Sequence, residues 1–258
     1  MTTTDPFAPP PASPGRMAGK RGLTESHEPR LMLDLFRYTV ANPCPPEWDG
    51  THGITEWGMD GNDQYGCCGY AATDHYDVAK TGNTALIGKL GGVGLPLYFE
   101  YGISMGEPGP QPDQGVDNAS WLAFLYKKGI IQGYGEVPLS EINQYAYDFN
   151  GVLLGVSLDD DAETDFEASP PIAWGSTPGD TPDPTMGHDI LLVKYHLDGS
   201  GTGVTWGGLE NFTPTFRADN ITDAWAVFDK QDAQRAGISA ASLTAELTAI
   251  HGTVSPAS

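Results

Sequence analysis

The spacing of hydrophobic and polar positions predicts helices in the first half of the folded region and at its end. Large apolar residues recur at helical spacing from Asn118 to Lys128, and Gly129 directly after them is a typical helix terminator. A helix opened by glycines is predicted from Cys68 to about Lys80. An amphipathic helix is predicted to close the chain from Ser239 to Ile250.

Later segments have the composition of β-strands. They are rich in β-branched and aromatic residues, and Gly, Asp and Pro lie between them. These segments are Gly151–Leu158, Ile190–Tyr195, Gly203–Trp206 and Ala224–Phe228. Because helices come first and strands later, without regular alternation, the order predicts an α+β fold with a mostly antiparallel sheet.

The N-terminal segment differs from the rest of the chain. Five prolines fall between residues 6 and 14, and proline fixes φ and lacks an amide donor. We therefore predict a Pro-rich extended arm over residues 1–30 and one folded domain over residues 31–258. A loose tail is the simpler interpretation of the arm, and contact with a neighbouring subunit of an assembly is the alternative.

Composition excludes several classes of function. The 258 residues, 39% of them hydrophobic, suffice for a sizeable core. A net charge of −21 with only 13 Lys and Arg cannot provide the basic stripe of a nucleic-acid binder. No apolar run approaches the ~18 residues of a membrane span, and the N-terminus lacks the pattern of a signal peptide. We therefore expect a soluble, acidic protein made inside the cell.

Charge and cysteine content sharpen this view. Residues 1–37 hold five basic and four acidic residues, whereas the remaining residues hold eight basic and thirty acidic ones. The acidity therefore belongs to the predicted domain and not to the arm. Three cysteines are too few, and odd in number, for a disulfide framework.

The segment with the clearest chemical signal is residues 61–72, Gly-Asn-Asp-Gln-Tyr-Gly-Cys-Cys-Gly-Tyr-Ala-Ala. It places Cys68 where a glycine-containing loop turns into a helix of small residues. The unpaired amides and dipole of a helix start favour a thiolate. Small residues such as Gly69 after the cysteine would let the helix lie close to a sheet. His188, which follows Gly187 at the mouth of a predicted strand, supplies a base distant in sequence.

An ordered set of motifs extends this pattern and resembles the papain-like cysteine peptidases. More narrowly, the chain is similar to the papain-like proteins encoded by tailed bacteriophages and prophages. The similarity runs from about Trp48 to the final helix. The motifs that carry it are Gly61-Asn62-Asp63, Gly66-Cys67-Cys68, His75, Gly187-His188 and Thr205-Trp206-Gly207.

The resemblance implies a papain-like α+β fold in which the helix bearing the cysteine packs on the sheet. It implies Cys68 as the nucleophile, His188 as the general base, and Asn62 as the side-chain donor of an oxyanion hole beside the Cys68 amide. The implied function is a cysteine peptidase or amidase associated with a virion and made in the host cytoplasm. Its expected partners are other virion proteins through the arm, and a peptide or cell-wall substrate, with no cofactor or metal.

Two departures from the family pattern leave alternatives open. Cys67 stands where the phage-type pattern has Asp, so the choice between the two thiols is open. No Asn or Asp follows at the position that orients the histidine; Thr205 stands there, and Glu210 or Asn211 would reach it only through a folded-back loop. The alternative function is therefore a catalytically inert virion structural protein, capsid- or tail-associated, that reuses the fold.

Other chemically active residues have simpler interpretations. Free cysteine is among the most often buried residue types, so Cys67 and Cys68 also suit a packing role. His75 is expected to be structural, and the spacing of these three residues does not fit a zinc site. The acidic run 159–167 lacks the ligand pattern and central glycine of a calcium loop, so a solvated acidic loop is predicted.

Overall fold

The computed structural model of the chain describes residues 43–251, without the side chains of residues 230, 231, 235, 240, 250 and 251. The arm predicted for residues 1–30 lies outside the described residues, as do both ends of the domain predicted over 31–258. The strands are β1 Trp48–Asp49, β2 Gly133–Glu136, β3 Val152–Ser157, β4 Gly187–Tyr195, β5 Gly201–Thr205, β6 Gly208–Phe212 and β7 Ile221–Phe228. The helices are α1 Cys68–Thr81, α2 Pro96–Ser104, α3 Asn118–Lys127, α4 Ile142–Phe149, α5 Ala162–Glu167, α6 Pro214–Asp219, α7 Lys230–Arg235 and α8 Ala240–His251.

Within the described range the strands form one seven-stranded sheet. Its order is β2-β7-β3-β4-β5-β6, and β1 pairs with the far end of β4. Every pair of these strands is antiparallel. The α+β prediction with an antiparallel sheet is therefore confirmed, and each of the four predicted strands is present.

Helix α1 lies across the strands that hold the candidate histidine. It packs mainly on β4 and also touches β3 and β5. A Cβ at Gly69 would lie 2.2 Å from the Cγ2 atom of Val116 and 3.1 Å from a carboxylate oxygen of Asp189. Only glycine therefore permits this approach, as the small residues after the cysteine predicted. The helix ends at Gly82, whose φ of 65° is the left-handed conformation common at helix ends.

The core combines aliphatic and aromatic side chains. Helix α3 confirms the predicted helix, and its apolar residues are buried except for the half-buried Phe124. Asp117 caps this helix, because its side chain accepts a hydrogen bond from the Ser120 amide. The largest fully buried side chains include Trp57, Trp121, Trp174 and Trp225. This packing holds the sheet and α1 in one hydrophobic cluster.

One further expectation concerns the membrane. Among residues 43–251, no helix combines the length and apolar character that crossing a bilayer requires.

Candidate active site

Cys68 is the first residue of helix α1. Cys67 occupies the position before it, and its carbonyl accepts the first helical hydrogen bond, from the Ala71 amide at 3.0 Å. No side chain caps this helix start. The amide groups of the first turn therefore act on the Cys68 side chain, which is the electrostatic position predicted from the sequence. Its side chain is fully buried, with 0% exposure.

Cys67 has a different environment. Its thiol donates a hydrogen bond to the Asp60 carbonyl at 3.6 Å. Burial, aided by the charges of Cys68 and Asp113, raises the pKa of the Cys67 thiol well above its ordinary value. Both thiols, like that of Cys44, are free of disulfides. Burial and the neighbouring acidic groups therefore favour the neutral thiol form of Cys67.

His188 lies at the start of β4, where it pairs with Val156 of β3. Its Nε2 atom lies 2.7 Å from the Thr205 hydroxyl oxygen. Its ring centroid is 4.8 Å from that of Trp206, at an interplanar angle of 34°. The hydroxyl and the indole together hold the imidazole in one orientation. Thr205 therefore makes the hydrogen bond to His188 that its predicted weak orienting role requires. The side chain of Asn211, the other candidate, accepts a hydrogen bond from the Thr202 hydroxyl.

The Thr-Trp-Gly motif forms the turn that places these groups. Thr205 pairs with Gly208, so Trp206 and Gly207 are the two loop residues of the β5–β6 hairpin. Their φ angles are 44° and 76°, the pattern of a type I′ turn. A positive φ is unusual for tryptophan and is maintained here by the surrounding contacts. One of them is a hydrogen bond from the Trp57 amide to the Gly207 carbonyl at 3.2 Å.

The start of α1 and the start of β4 meet at Asp189. The Cys68 thiol lies 3.7 Å from the Oδ2 atom of Asp189, the residue next to His188. An ionised carboxylate at this distance disfavours a thiolate, so Asp189 and the helix start act on the sulfur in opposite directions. The contact joins the two elements through Asp189, whereas His188 lies on the opposite face of β4 because side chains alternate along a strand.

Asn62 lies in the loop that leads into α1. It is 2% exposed, and its side-chain amide donates to the Tyr65 carbonyl at 3.1 Å. The loop is also fixed from outside, because Asp113 accepts a hydrogen bond from the Gly66 amide at 2.8 Å. The structure therefore places Asn62 in the hydrogen-bonded loop that directly precedes Cys68. Its predicted role at an oxyanion stays a prediction.

Two solved structures are similar in fold to this chain. Xylellain, a cysteine protease from Xylella fastidiosa, matches with a TM-score of 0.56 at 14% identity, over 84% of this chain and 98% of xylellain. Digestive procathepsin L 3 from the larval midgut of Tenebrio molitor matches with a TM-score of 0.55 at 13% identity, over 81% of this chain and 76% of the procathepsin. The fold is papain-like. In sequence comparisons, no protein family and no curated protein matches the chain.

This papain-like fold contains a buried polar network that the sequence analysis missed. The Asn118 amide, at the start of α3, donates to Asp189 at 2.7 Å and to Asp223 at 3.1 Å. Asp223 also accepts from the Trp225 indole at 2.8 Å and from the Thr222 hydroxyl at 3.1 Å. A signal for this network was present in the sequence, because Asp189 follows His188 at the start of a largely apolar strand. Side chains alternate along a strand, so Asp189 had to lie on the face opposite His188 and needed its own partners there.

Two other predicted residues have clear places. The Nε2 atom of His75 lies 3.0 Å from the Gly58 carbonyl and 3.2 Å from a carboxylate oxygen of Asp60. It is buried and serves packing, as expected. Among the described residues, no group of three or more His, Cys, Asp or Glu side chains is arranged to hold a metal ion.

The prediction of a solvated acidic loop over 159–167 is wrong in part. Residues 162–167 form α5, and Asp159 and Asp165 are buried, whereas Asp160 and Asp161 are exposed. Side chains of a helix point to different sides of its axis, so the side of α5 that faces the core buries Asp165. Periodicity over so short a segment did not reveal which ones.

Proposed function

We propose that this chain is a cysteine peptidase or amidase in which Cys68 attacks the carbonyl of a peptide or amide bond and His188 is the general base. The observation that carries the proposal is the held imidazole: Thr205 engages its Nε2 atom, and Trp206 covers its ring. Cys68 lies at a helix start that contacts the same strand end through Asp189, so the proposed reaction requires the His188 ring to reach the sulfur from the other face of β4. The two similar structures are described as a cysteine protease and a procathepsin, which supports the same chemistry.

The reaction uses the Nδ1 atom of His188, because Nε2 is engaged by Thr205. Nδ1 takes the proton of the Cys68 thiol, and the sulfur forms a bond to the carbonyl carbon while an electron pair moves to the oxygen. The imidazolium then gives its proton to the leaving amine as the C–N bond breaks, which leaves a thioester. A water molecule that loses its proton to Nδ1 attacks the thioester, releases the acid and restores the thiol.

The negative oxygen of the tetrahedral intermediate needs donors. The backbone amide of Cys68 at the helix start is one, and the Asn62 side chain is the other. Asn62 Nδ2 has two hydrogens, and its bond to the Tyr65 carbonyl uses one of them.

The orienting group limits the expected rate. A threonine hydroxyl is neutral, so it stabilises an imidazolium less than a carboxylate would. Asp189 further opposes the thiolate form of Cys68. We therefore expect slow turnover compared with enzymes that have a charged or amide partner behind the histidine.

Alkylation by iodoacetamide, with mass-spectrometric mapping of each cysteine, tests the proposal. In native protein, Cys68 should react faster than the same thiol in urea-denatured protein, whereas Cys67 should stay unmodified. Cys68→Ala should abolish hydrolysis of fluorogenic peptide amides, and the matched variant Cys67→Ala should retain it. A native Cys68 no more reactive than the denatured thiol, together with hydrolysis that survives Cys68→Ala, would contradict the proposal.

A second proposal is a catalytically inert protein that uses the papain-like fold as a scaffold. The observation in its favour is burial, because Cys68 is 0% and His188 is 1% exposed, so a carbonyl reaches the sulfur only if neighbouring groups move. The predicted virion location and virion partners are compatible with either proposal. Mass spectrometry of purified particles tests the location, and absence of the chain from them would overturn it.

A further inference from the structure

An apolar groove of about 350 Å³ lies where three parts of the fold meet. They are the start of α4 with the short 3₁₀ turn before it, the turn between β4 and β5, and α6. None of the lining residues is among those assigned above to catalysis. The residues that line this apolar groove are Leu139, Ile142, Gly199, Pro214, Arg217 and Ala218.

The elements around the apolar groove carry large exposed hydrophobic side chains. Leu139 in its lining is 47% exposed, and Leu197, in the same turn as Gly199, is 74% exposed. Tyr147 on α4 is exposed as well. Within the described range, three of the seven exposed large hydrophobic residues therefore lie on the elements that form this groove. Such a concentration around one concave surface indicates a docking site, whereas scattered single residues do not.

Arg217 is the one charged residue in the lining of the apolar groove, and it lacks a partner. It is half-buried on α6, and among residues 43–251 its guanidinium makes no hydrogen bond or ion pair. Burial lowers the pKa of this guanidinium, because its charged form has lost part of its water. A carboxylate would compensate through paired charge-assisted hydrogen bonds. The groove therefore suits an apolar segment that contains an acidic side chain.

The described part of the chain begins beside this groove. The Cys44 amide donates to the side-chain oxygen of Gln144 on α4 at 2.9 Å. The Pro45 carbonyl accepts a hydrogen bond from the Tyr195 hydroxyl at 3.1 Å, and Tyr195 is the last residue of β4 before the turn to β5. Two of the three parts that form the groove thus adjoin the point at which residues 1–42 join the described chain.

The sequence shortly before this point has the composition that the groove requires. Residues 31–36 read Leu-Met-Leu-Asp-Leu-Phe, so five apolar residues surround the single carboxylate of Asp34. The seven residues from the end of this run to Pro43 can span up to about 25 Å. Arg30 and Arg37 flank the run, and their charge is opposite to that of the acidic domain.

We propose that residues 31–36 of the same chain occupy the apolar groove, with Asp34 paired to Arg217 and the leucine side chains against the apolar lining. The occupant covers the exposed Leu139 and supplies the missing partner of the guanidinium. Its short connection to Pro43 gives it a high effective concentration at the groove, so a weak intrinsic affinity suffices. The contact also fixes the place at which the arm predicted for residues 1–30 leaves the domain.

Hydrogen–deuterium exchange of the full chain, followed by mass spectrometry, tests the proposal. The amides of residues 31–36 should exchange at least about tenfold more slowly than in a synthetic peptide of residues 25–42. Arg217→Glu should return their exchange to the rate in the peptide, because it places a second carboxylate against Asp34. The exchanged pair Asp34→Arg/Arg217→Glu should restore slow exchange.

Two further variants separate the groove from general effects of charge and folding. Lys89→Glu reverses a charge at an exposed site outside the groove and should leave the exchange of residues 31–36 unchanged. Ala218→Phe fills the groove from an exposed position and should speed the exchange of residues 31–36. Slow exchange of the buried strand β3 in each variant reports that the domain is folded.

Three results would overturn the inference. The first is exchange of residues 31–36 in the unaltered protein as fast as in the peptide, which depends on no variant. The second is slow exchange that survives both Arg217→Glu and Ala218→Phe, which would place the segment elsewhere. The third is slow exchange that increases over about a hundredfold rise in protein concentration, which would assign the groove to a second copy of the chain.

Discussion

Two groups of buried carboxylates in this chain differ in their hydrogen-bond donors. Beside Cys68, Asp189 and Asp223 share the amide of Asn118, and Asp223 has an indole and a hydroxyl donor as well. In the region that follows β3, Asp159 and Asp165 are equally buried, yet each has a carboxylate oxygen without a partner among the described residues.

The difference lies in the supply of donors. The first network is built from neutral donors that the fold itself places around the acids, so it stiffens the contact between α1, α3 and the sheet. The second group has mainly other acids as neighbours, and each charge makes the next one less favourable. The first region is therefore expected to stabilise the fold, and the second to cost stability.

The largest effect is expected from removal of the shared donor. Asn118→Ala would leave two buried carboxylates facing each other, so the free energy of unfolding should fall by about 3 kcal/mol or more. Asn83→Ala, which removes only an exposed cap of a short 3₁₀ turn, should cost no more than about 1 kcal/mol. Urea denaturation measures both, and equal losses would show that the network has no special weight.

A second effect concerns activity at the same strand ends. Thr205→Val removes the hydroxyl that holds His188 and should lower kcat about 10- to 100-fold with little change in KM. Thr205→Ser should restore most of the rate. Thr202→Val on the same strand removes a hydroxyl that bonds only to Asn211, so it is the matched control for stability and should leave kcat unchanged. Equal kcat in all three variants would remove Thr205 from the mechanism.

Glu210 of β6 is a buried acid near Asp165 of the second group, and its burial should affect the pH dependence of stability. Burial, with a further contribution from the charge of Asp165, raises the pKa of Glu210 from 4.5 to about 8. The folded state therefore holds this proton more tightly than the unfolded state, so the contribution of Glu210 to stability is fully present below about pH 4.5 and is lost as pH rises through about 8. Glu210→Gln has no charge to bury and should be more stable than the unaltered protein at pH 9 by about 1–3 kcal/mol.

The difference in unfolding free energy between Glu210→Gln and the unaltered protein reports on Glu210 alone. Asp74, whose pKa is raised to about 7 chiefly by burial, titrates equally in both. Glu56→Gln changes an exposed glutamate and serves as the control. A Glu210→Gln curve parallel to that of the unaltered protein from pH 4 to 9 would contradict the expectation.

The smallest effect is expected where solvent satisfies the charge. Lys194 pairs with the exposed Asp49 at 2.8 Å. Lys194→Gln should lower the free energy of unfolding by less than about 1 kcal/mol, and this loss should shrink further in high salt. A loss as large as that of Asn118→Ala would show that burial is not what separates the two groups of acids.

Much of the fold could be predicted because the elements concerned have strong local signals. Helices α1 and α3, and strands β3, β4, β5 and β7, all match segments with helical spacing or β-branched runs. Strand β2, Gly-Tyr-Gly-Glu, was missed because glycine has low strand propensity and pairing with β7 alone makes it extended. Strand β6 was missed for a similar reason, since its extended form depends on the hairpin to β5.

The candidate site could be predicted only in its local parts. Cys68 at a helix start and His188 at a strand start follow from neighbouring residues. The Asp189 carboxylate contacts the Cys68 sulfur, although the two residues are 121 positions apart in the chain. No neighbouring residue of either one indicates that contact. The preference of Cys67 for its neutral form likewise depends on burial and on acidic neighbours distant in sequence.

The sequence by itself determined the α+β class, the helix that begins at Cys68 and the strand that begins near His188, because backbone propensity and periodicity act over a few residues. Only the tertiary structure decided that Thr205 holds His188 and that Asn118 joins Asp189 to Asp223. Those hydrogen bonds join residues 17, 71 and 105 positions apart. Only the tertiary structure decided which acids are buried, since exposure depends on the packing of distant segments and not on the charge of a run.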